Sequence, residues 1–219
     1  MGKLSVGKNT KVEQKRRRYV ESHWLVFAIK GAISAIAGIC MALTFKNDTH
    51  YLTEVVGYTL FALAAIEIIN VIDRKRLEHN WGLPLAIGLV ELLVAITLLF
   101  TVDYTVPEVD RLVVRIAIIG GFTLYSATIQ LFIGFTCFKN MTDRFMWVVS
   151  GIISAILGFV IIADNGADMT THIKLFGINI LVNGLTELYF GIHSRDEMKE
   201  IHDERAKRRK QIARSVGKK

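Results

Sequence analysis

Residues 31–38 have the sequence GAISAIAG, which returns almost unchanged as GIISAILG at residues 151–158, 120 positions later. Residues seven apart lie on one face of a helix, so the two glycines of each copy form a surface with almost no side chains. In lipid, surfaces of small residues let helix backbones approach closely, and this packing drives helix association. The repeated stretch therefore predicts transmembrane helices that pack through glycine seams.

The rest of the chain has the composition of a membrane protein. Hydrophobic residues make up 52% of its 219 residues. A helix needs about 20 apolar residues to cross the hydrocarbon core of a bilayer, and six runs are long enough. They are residues 24–45, 52–72, 81–102, 112–138, 145–163 and 173–193. Each run is predicted to be α-helical, because open loops and lone strands leave unpaired backbone groups in lipid. The predicted fold class is an all-α polytopic membrane protein.

The repeat extends into the neighbouring helices. The same offset aligns Glu67 with Glu187, and a middle copy places Gln130 at their position. The other aligned sets are Gly31, Gly88 and Gly151; Ser34, Glu91 and Ser154; Gly38, Ala95 and Gly158; and Gly57, Gly120 and Gly177. The pattern predicts three tandem helical hairpins.

The predicted transmembrane domain covers residues 23–194, with hairpin repeats at about residues 24–73, 81–138 and 145–193. Every hairpin begins and ends on the same side, so the copies run parallel and any symmetry axis lies along the membrane normal. A pseudo-threefold bundle is the simplest arrangement. A staggered row of hairpins satisfies the same pattern.

Basic residues predict the orientation. The segments before the first run, between the second and third, between the fourth and fifth, and after the sixth contain 7, 3, 2 and 10 Lys and Arg residues. The opposite side has only Lys46, Arg111, Arg115 and Lys174. Because basic flanking segments stay in the cytoplasm, both termini are predicted to be cytoplasmic.

Small residues form the predicted packing seam of the odd-numbered helices. The seam consists of Gly31, Ser34, Gly38, Gly88, Ala95, Gly151, Ser154 and Gly158. Helix packing is the first interpretation of this surface. Contact of the bare backbone with a ligand or an ion is the alternative.

Several polar residues lie inside the apolar runs, where a charge costs about 2.5–3.5 kcal/mol near the bilayer centre. They are Lys30, Glu67, Glu91, Gln130, Asn179, Asn183 and Glu187. In one interpretation they hold the bundle together: Lys30 neutralises Glu67 or Glu187, and the amides bond between helices at about 0.6 kcal/mol each. In the other, the carboxylates line a proton or small-ion path. Lys30 can also extend to the headgroups, leaving the glutamates to share protons.

Two basic tails flank the domain, at residues 1–22 and 195–219. Their clusters are Lys15, Arg16, Arg17, Arg18, Arg205, Lys207, Arg208, Arg209 and Lys210. Such clusters attract anionic lipid headgroups at about 1 kcal/mol per charge. Acidic and basic residues four apart predict that the C-terminal tail continues the last helix. Nucleic-acid binding is not expected, since no aromatic residues alternate with the charges. Binding of a protein partner and formation of a homo-oligomer are both compatible with the sequence.

Motifs for catalysis are absent from the sequence. It contains no HExxH, GxSxG or GxxxxGK[ST], and its six histidines are scattered over tails, loops and helix ends. We therefore expect no enzyme activity, no cofactor and no metal site.

The ordered set of repeats resembles the HdeD-like acid-resistance membrane proteins of bacteria. The residues that carry the resemblance are Trp24, Gly31, Gly38, Gly57 and Glu67, with their copies Trp81, Gly88, Gly120, Gln130, Trp147, Gly151, Gly158, Gly177 and Glu187. The resemblance covers about residues 20–195 and implies a bacterial inner-membrane protein linked to acid stress. The chain departs from that pattern in its long basic tails and in having Pro107 as its only external proline.

Three functions follow from these patterns. The first is a non-enzymatic, stress-related inner-membrane protein that acts through the bilayer or through partner proteins. The second is a small proton, ion or solute transporter or channel that uses Glu67, Glu91 and Glu187. The third is a membrane scaffold that docks partners through its basic tails.

Overall fold

A computed structural model describes residues 24–43, 49–76, 82–102, 106–107, 110–136, 141–163 and 168–216. This part of the chain is helical. The helices are α1 (Trp24–Ala42), α2 (Thr49–Arg76), α3 (Gly82–Ile96), α4 (Arg111–Thr136), α5 (Met141–Ala163) and α6 (Met169–Val216). A π-helical segment, Thr97–Thr101, continues α3. The basic cluster at residues 15–18 lies outside the described residues.

All six helices contain a stretch long and apolar enough to cross a membrane. Their outward faces carry large apolar side chains such as Leu43, Leu93 and Phe159, which are 62%, 66% and 69% exposed. Charged side chains such as Lys30 and Glu91 are buried instead. This inverted pattern suits lipid as the surrounding solvent. The predicted fold class, a six-span all-helical membrane protein, is confirmed.

The odd-numbered helices pack on the even-numbered helices of neighbouring repeats. Gly88 of α3 faces Glu67 and Ile68 of α2, and Gly151 of α5 faces Leu131 of α4. In the same way Gly31 of α1 faces Leu188 of α6. The contacted positions are equivalent in the sequence repeat, since Ile68, Leu131 and Leu188 each follow the aligned Glu or Gln directly. The three interfaces are therefore copies of one another.

The same three helix pairs make a second set of equivalent contacts near their opposite ends. Gly57 faces Leu99, Gly120 faces Ile162, and Gly177 faces Ala42. Because α1 packs on α6, the first and last repeats meet and the described helices close into a ring. This closure agrees with the pseudo-threefold arrangement and not with a staggered row.

The seam between α1 and α6 is the closest of the three. A Cβ atom added at Gly38 would lie 2.6 Å from the carbonyl oxygen of Gly177, and one added at Gly31 would lie 2.7 Å from that of Gly184. Glycines on both helices let the backbones touch there. All eight predicted seam residues are buried. Their surfaces are occupied by neighbouring helices, as the packing interpretation requires.

Two sets of repeat-equivalent apolar residues fill the half of the bundle farthest from the chain termini. Met41, Leu98 and Ile161 come from the ends of the odd-numbered segments, and each is at most 1% exposed. Val56, Ile119 and Phe176 come from the first halves of the even-numbered helices and are equally buried. They belong to one hydrophobic cluster, which we call the far apolar layer. Lys30, Glu67, Glu91 and Glu187 lie on the termini side of this layer, whereas the buried Arg115 and His172 lie on its other side.

Candidate functional site

Four side chains from four helices meet in what we call the charged cluster: Lys30 of α1, Glu67 of α2, Glu91 of α3 and Glu187 of α6. Lys30 Nζ lies 2.7 Å from Glu67 Oε1, 3.2 Å from Glu187 Oε1 and 3.6 Å from Glu91 Oε1. Lys30 donates a hydrogen bond to Glu67. An ammonium has three N–H donors, so one lysine can serve three carboxylates at once.

The glycine seam explains why these groups meet. Lys30 directly precedes Gly31, and Glu187 directly precedes Leu188, the residue that Gly31 faces. The close approach of α1 to α6 therefore brings Lys30 to Glu187. Gly88 faces Glu67 in the equivalent interface, one helical turn before Glu91. Close helix packing at the seam glycines therefore places all three carboxylates next to Lys30.

The four side chains of the charged cluster are largely inaccessible to solvent. The Lys30, Glu67 and Glu91 side chains are 8%, 9% and 8% exposed, and that of Glu187 is 13% exposed. Fully ionised, the cluster contains one positive and three negative charges. A buried charge without a partner is costly, because the protein interior does not replace the favourable hydration energy that the charge loses. The arrangement can therefore hold protons on its carboxyl groups or attract a further cation.

The second oxygens of two carboxyl groups support this view. Within the described ranges, Oε2 of Glu91 and Oε2 of Glu187 are buried and have no hydrogen-bond partner. Buried polar atoms in proteins are nearly always hydrogen-bonded. These two oxygens are therefore positions at which the cluster can bind a proton or a further cation.

The charged cluster breaks the threefold repeat. The positions equivalent to Lys30 are Ile87 and Ser150, and those equivalent to Glu91 are Ser34 and Ser154. Only one set of helices therefore combines the lysine with the extra carboxylate. The charged cluster is therefore not repeated at the equivalent positions of the other hairpins.

A separate set of neutral side chains, the amide–hydroxyl network, lies between α4, α5 and α6. It consists of Ser126, Gln130, Ser150, Ser154 and Asn183. Gln130 Nε2 donates to Ser126 Oγ at 3.1 Å, and Asn183 Nδ2 donates to the same oxygen at 3.2 Å. The Ser150 and Ser154 hydroxyls each donate to Asn183 Oδ1 at 3.2 Å. The network ties three helices together through neutral groups.

The structure divides the seven predicted intramembrane polar residues into groups. Lys30, Glu67, Glu91 and Glu187 come together, and Lys30 contacts the carboxylates instead of extending to the headgroups. Gln130 and Asn183 join the amide–hydroxyl network. Asn179 is fully buried, and neither polar atom of its side chain has a partner in the described part of the chain.

Ser150 is a member of the network that the sequence interpretation missed. Its signal was available, because the repeat offset of 120 aligns it with Lys30. The buried Asn70 of α2 was missed as well, and it has no counterpart amide in the other repeats. The side chains of the basic C-terminal cluster at residues 205–210 are not described, although the α6 backbone runs through them.

No metal site accompanies these groups in the described residues. In these ranges no three His, Cys, Asp or Glu side chains are grouped so that they could hold a metal ion. The three carboxylates of the charged cluster converge on Lys30 Nζ.

Six spanning helices, repeated interfaces and a polar core define a multi-pass helical membrane protein with internal repeats. The chain belongs to the family described as a short repeat of unknown function (DUF308), which matches residues 29–100 and 149–201, more than half of its length. No match was found among curated proteins or among solved structures.

Proposed function

We propose that this chain is a non-enzymatic bacterial inner-membrane protein of the HdeD-like type that supports survival of acid stress. The observation that carries the proposal is the DUF308 match over residues 29–100 and 149–201, because that family contains the HdeD-like membrane proteins. The ordered repeat residues of the sequence support the same assignment. The protein acts through the bilayer or through partner proteins.

The polar groups of the core support a role without catalysis. In the described helices the charged cluster consists of ion pairs, and the second polar cluster consists of amide–hydroxyl bonds. Nucleophilic catalysis needs a nucleophile beside a base that a third group orients. Neither the sequence motifs nor the described contacts offer that arrangement.

Deletion of the gene tests the acid-stress role. We expect the deletion strain to survive a low-pH challenge less well than its parent and to recover when the wild-type gene is supplied. Growth at neutral pH should be unchanged. Equal survival of both strains across the pH range would count against the proposal.

A second candidate is a small transporter for protons or cations, supported by the surplus of buried carboxylates around Lys30. A path through the ring would have to open the far apolar layer, since dry apolar constrictions block ions. Liposomes with an internal pH dye test this function. A transporter should dissipate an imposed pH gradient faster than the Glu91→Gln, Glu187→Gln double variant, which keeps the Lys30–Glu67 pair.

The two glutamine substitutions need a matched control. Asp110→Asn makes the same kind of change at an exposed position outside the charged cluster. It should leave the rate of the wild type unaltered. Equal rates of pH-gradient decay for the wild type and the double variant would show that protons do not move through these carboxyl groups.

The third role, docking of partners, draws support from the length of α6. This helix has 48 residues and continues beyond the apolar span that ends at Asp196. The continuation contains the basic cluster at residues 205–210, which suits anionic lipid headgroups or an acidic partner. Truncation after Asp196 should lower retention of a protein partner if this segment docks it. Unchanged retention would contradict docking.

A further inference from the structure

We infer that the charged cluster is a binding site for two exchangeable protons, held by the carboxyl groups of Glu91 and Glu187 beside a Lys30–Glu67 ion pair. The inference concerns what the cluster binds, so it goes beyond the role in acid stress and does not depend on it. It also does not require that protons cross the membrane.

Charge balance is the first argument. Three carboxylates and one ammonium leave two negative charges unbalanced in a site whose side chains are almost inaccessible to solvent. Burial without compensation strongly favours the neutral form of an ionisable group. Two bound protons make the cluster neutral overall. Lys30 then balances the one carboxylate that stays ionised.

Distances assign the protons to particular residues. Lys30 donates its hydrogen bond to Glu67 at 2.7 Å, whereas Glu187 and Glu91 lie farther from Nζ. The closest pair keeps its charges because attraction increases as separation falls. The distances alone make this assignment, and the buried Oε2 atoms of Glu91 and Glu187 are the atoms that can take the two protons.

The repeat itself shows that neutral groups suit these positions. Gln130 occupies the position equivalent to Glu187, and it is a neutral amide of the same length. Serines occupy the two positions equivalent to Glu91. A protonated glutamate therefore matches what the other copies of the hairpin accommodate.

Lys30 is the cation that pairs with these carboxyl groups among the described residues. Tyr125 of α4 is the other titratable side chain near Glu91. A metal ion would need several oxygen ligands at once. The Lys30 ammonium already lies at the point where the carboxylates converge.

Infrared spectroscopy of the full chain in lipid bilayers tests the inference, since a protonated carboxyl has a C=O stretch distinct from that of a carboxylate. At neutral pH we expect the wild type to show signal from two protonated carboxyl groups. Glu91→Gln and Glu187→Gln should each remove one, and the double variant should remove both. Asp110→Asn, at an exposed position, should leave the signal intact.

A second measurement covers the case in which a variant folds poorly. Denaturation of the wild type in weakly buffered detergent at neutral pH should release two more protons per chain than denaturation of the double variant. Absence of protonated carboxyl signal in the wild type, with equal proton release, would overturn the inference. It would also be overturned if replacing a bulky organic cation by Na⁺ or K⁺ removed the signal, because the site would then bind metal cations.

Discussion

Lys30 is the residue around which the charged cluster forms. Its repeat counterparts, Ile87 and Ser150, carry no charge. Lys30 holds carboxylates from three other helices, so it joins α1 to α2, α3 and α6 in a single contact set. A buried ion pair adds little net stability, because desolvation offsets the attraction, but removal of one partner is costly.

Lys30→Met is therefore expected to destabilise the protein, by up to about 3–5 kcal/mol if Glu67 keeps its charge. The loss should be smaller at low pH, where protons neutralise the carboxyl groups that the lysine no longer balances. Unfolding in detergent, followed by circular dichroism at several pH values, measures both effects.

The Lys30→Met, Glu67→Gln double variant is the control for this charge argument. It removes the ion pair as a unit, so it should recover part of the stability that Lys30→Met loses at neutral pH. A double variant that is less stable than the single variant by the full cost of Glu67→Gln would show that the two residues do not interact.

The sequence predicted that Lys30 neutralises Glu67 or Glu187 and that the amides bond between helices, but it did not show that Glu91 also contacts Lys30. Glu67, Gln130 and Glu187 share one repeat position. Gln130 lies in the amide–hydroxyl network, and the residue at the position of Lys30 in that hairpin interface is Ser150. The choice between a buried and a snorkelling Lys30 could not be made from sequence either. It depends on whether α1 reaches the carboxylates, which is a matter of tertiary packing.

At the scale of the helix, apolar run length was sufficient to predict all six spans. The seam glycines showed which faces pack, since bare surfaces indicate close approach. They could not show the partner, because α3 and α5 each have two sequence neighbours with similar small residues, and α1 packs on α6, which is remote in sequence. The π-helical segment Thr97–Thr101 was not predicted. It places Leu99 against Gly57 in the contact that Ala42 and Ile162 make in the other interfaces.

Gly31→Ala is expected to destabilise the seam between α1 and α6 by about 1–3 kcal/mol, the usual cost of overpacking. The added methyl group would meet backbone atoms of Gly184 and Leu188, which cannot move without separating the helices. Gly121→Ala is the matched control, because a Cβ atom there meets nothing within 4 Å. Equal thermal stabilities for the two variants would contradict the close seam.

The first turn of α6 has a pH-sensitive cap outside the membrane span. Asp168 Oδ1 accepts hydrogen bonds from the Thr171 hydroxyl at 2.7 Å and from the Thr171 backbone N–H at 2.9 Å. These bonds lower the pKa of Asp168 below its usual value. The cap therefore stabilises the helix start above the unfolded pKa, about 3.9, and is lost as the pH falls through the lower folded pKa.

Asp168→Ala should accordingly speed hydrogen exchange in the first turn of α6 at neutral pH, because Thr171 loses its acceptor. Asp168→Asn keeps a side-chain oxygen that can accept the same bonds, so it should preserve protection and make it less dependent on acid. Protection that is equal in Asp168→Ala and the wild type would show that the cap contributes nothing.

Across the described helices, the far apolar layer separates the polar clusters of the core from the buried Arg115 and His172, which lie near the opposite helix ends. The charged cluster and the amide–hydroxyl network lie on the side of the chain termini, which the basic residues predict to be cytoplasmic. The far apolar layer covers the other side with six side chains that are at most 1% exposed. Protons bound by the cluster should therefore exchange with the termini side, since dry apolar layers exclude water.

Leu98→Ser tests whether the far apolar layer is the barrier to proton movement. Leu98 is 1% exposed within the layer, so a hydroxyl there should admit water and raise proton leak through reconstituted liposomes several-fold. Leu93→Ser makes the same change in the same helix at a 66% exposed position that faces outward, and it should not leak. If the charged cluster is next on the route, Glu91→Gln with Glu187→Gln should suppress the leak of Leu98→Ser. A leak that persists unchanged in that triple variant would place the proton route outside the cluster and leave the carboxyl groups a purely storage role.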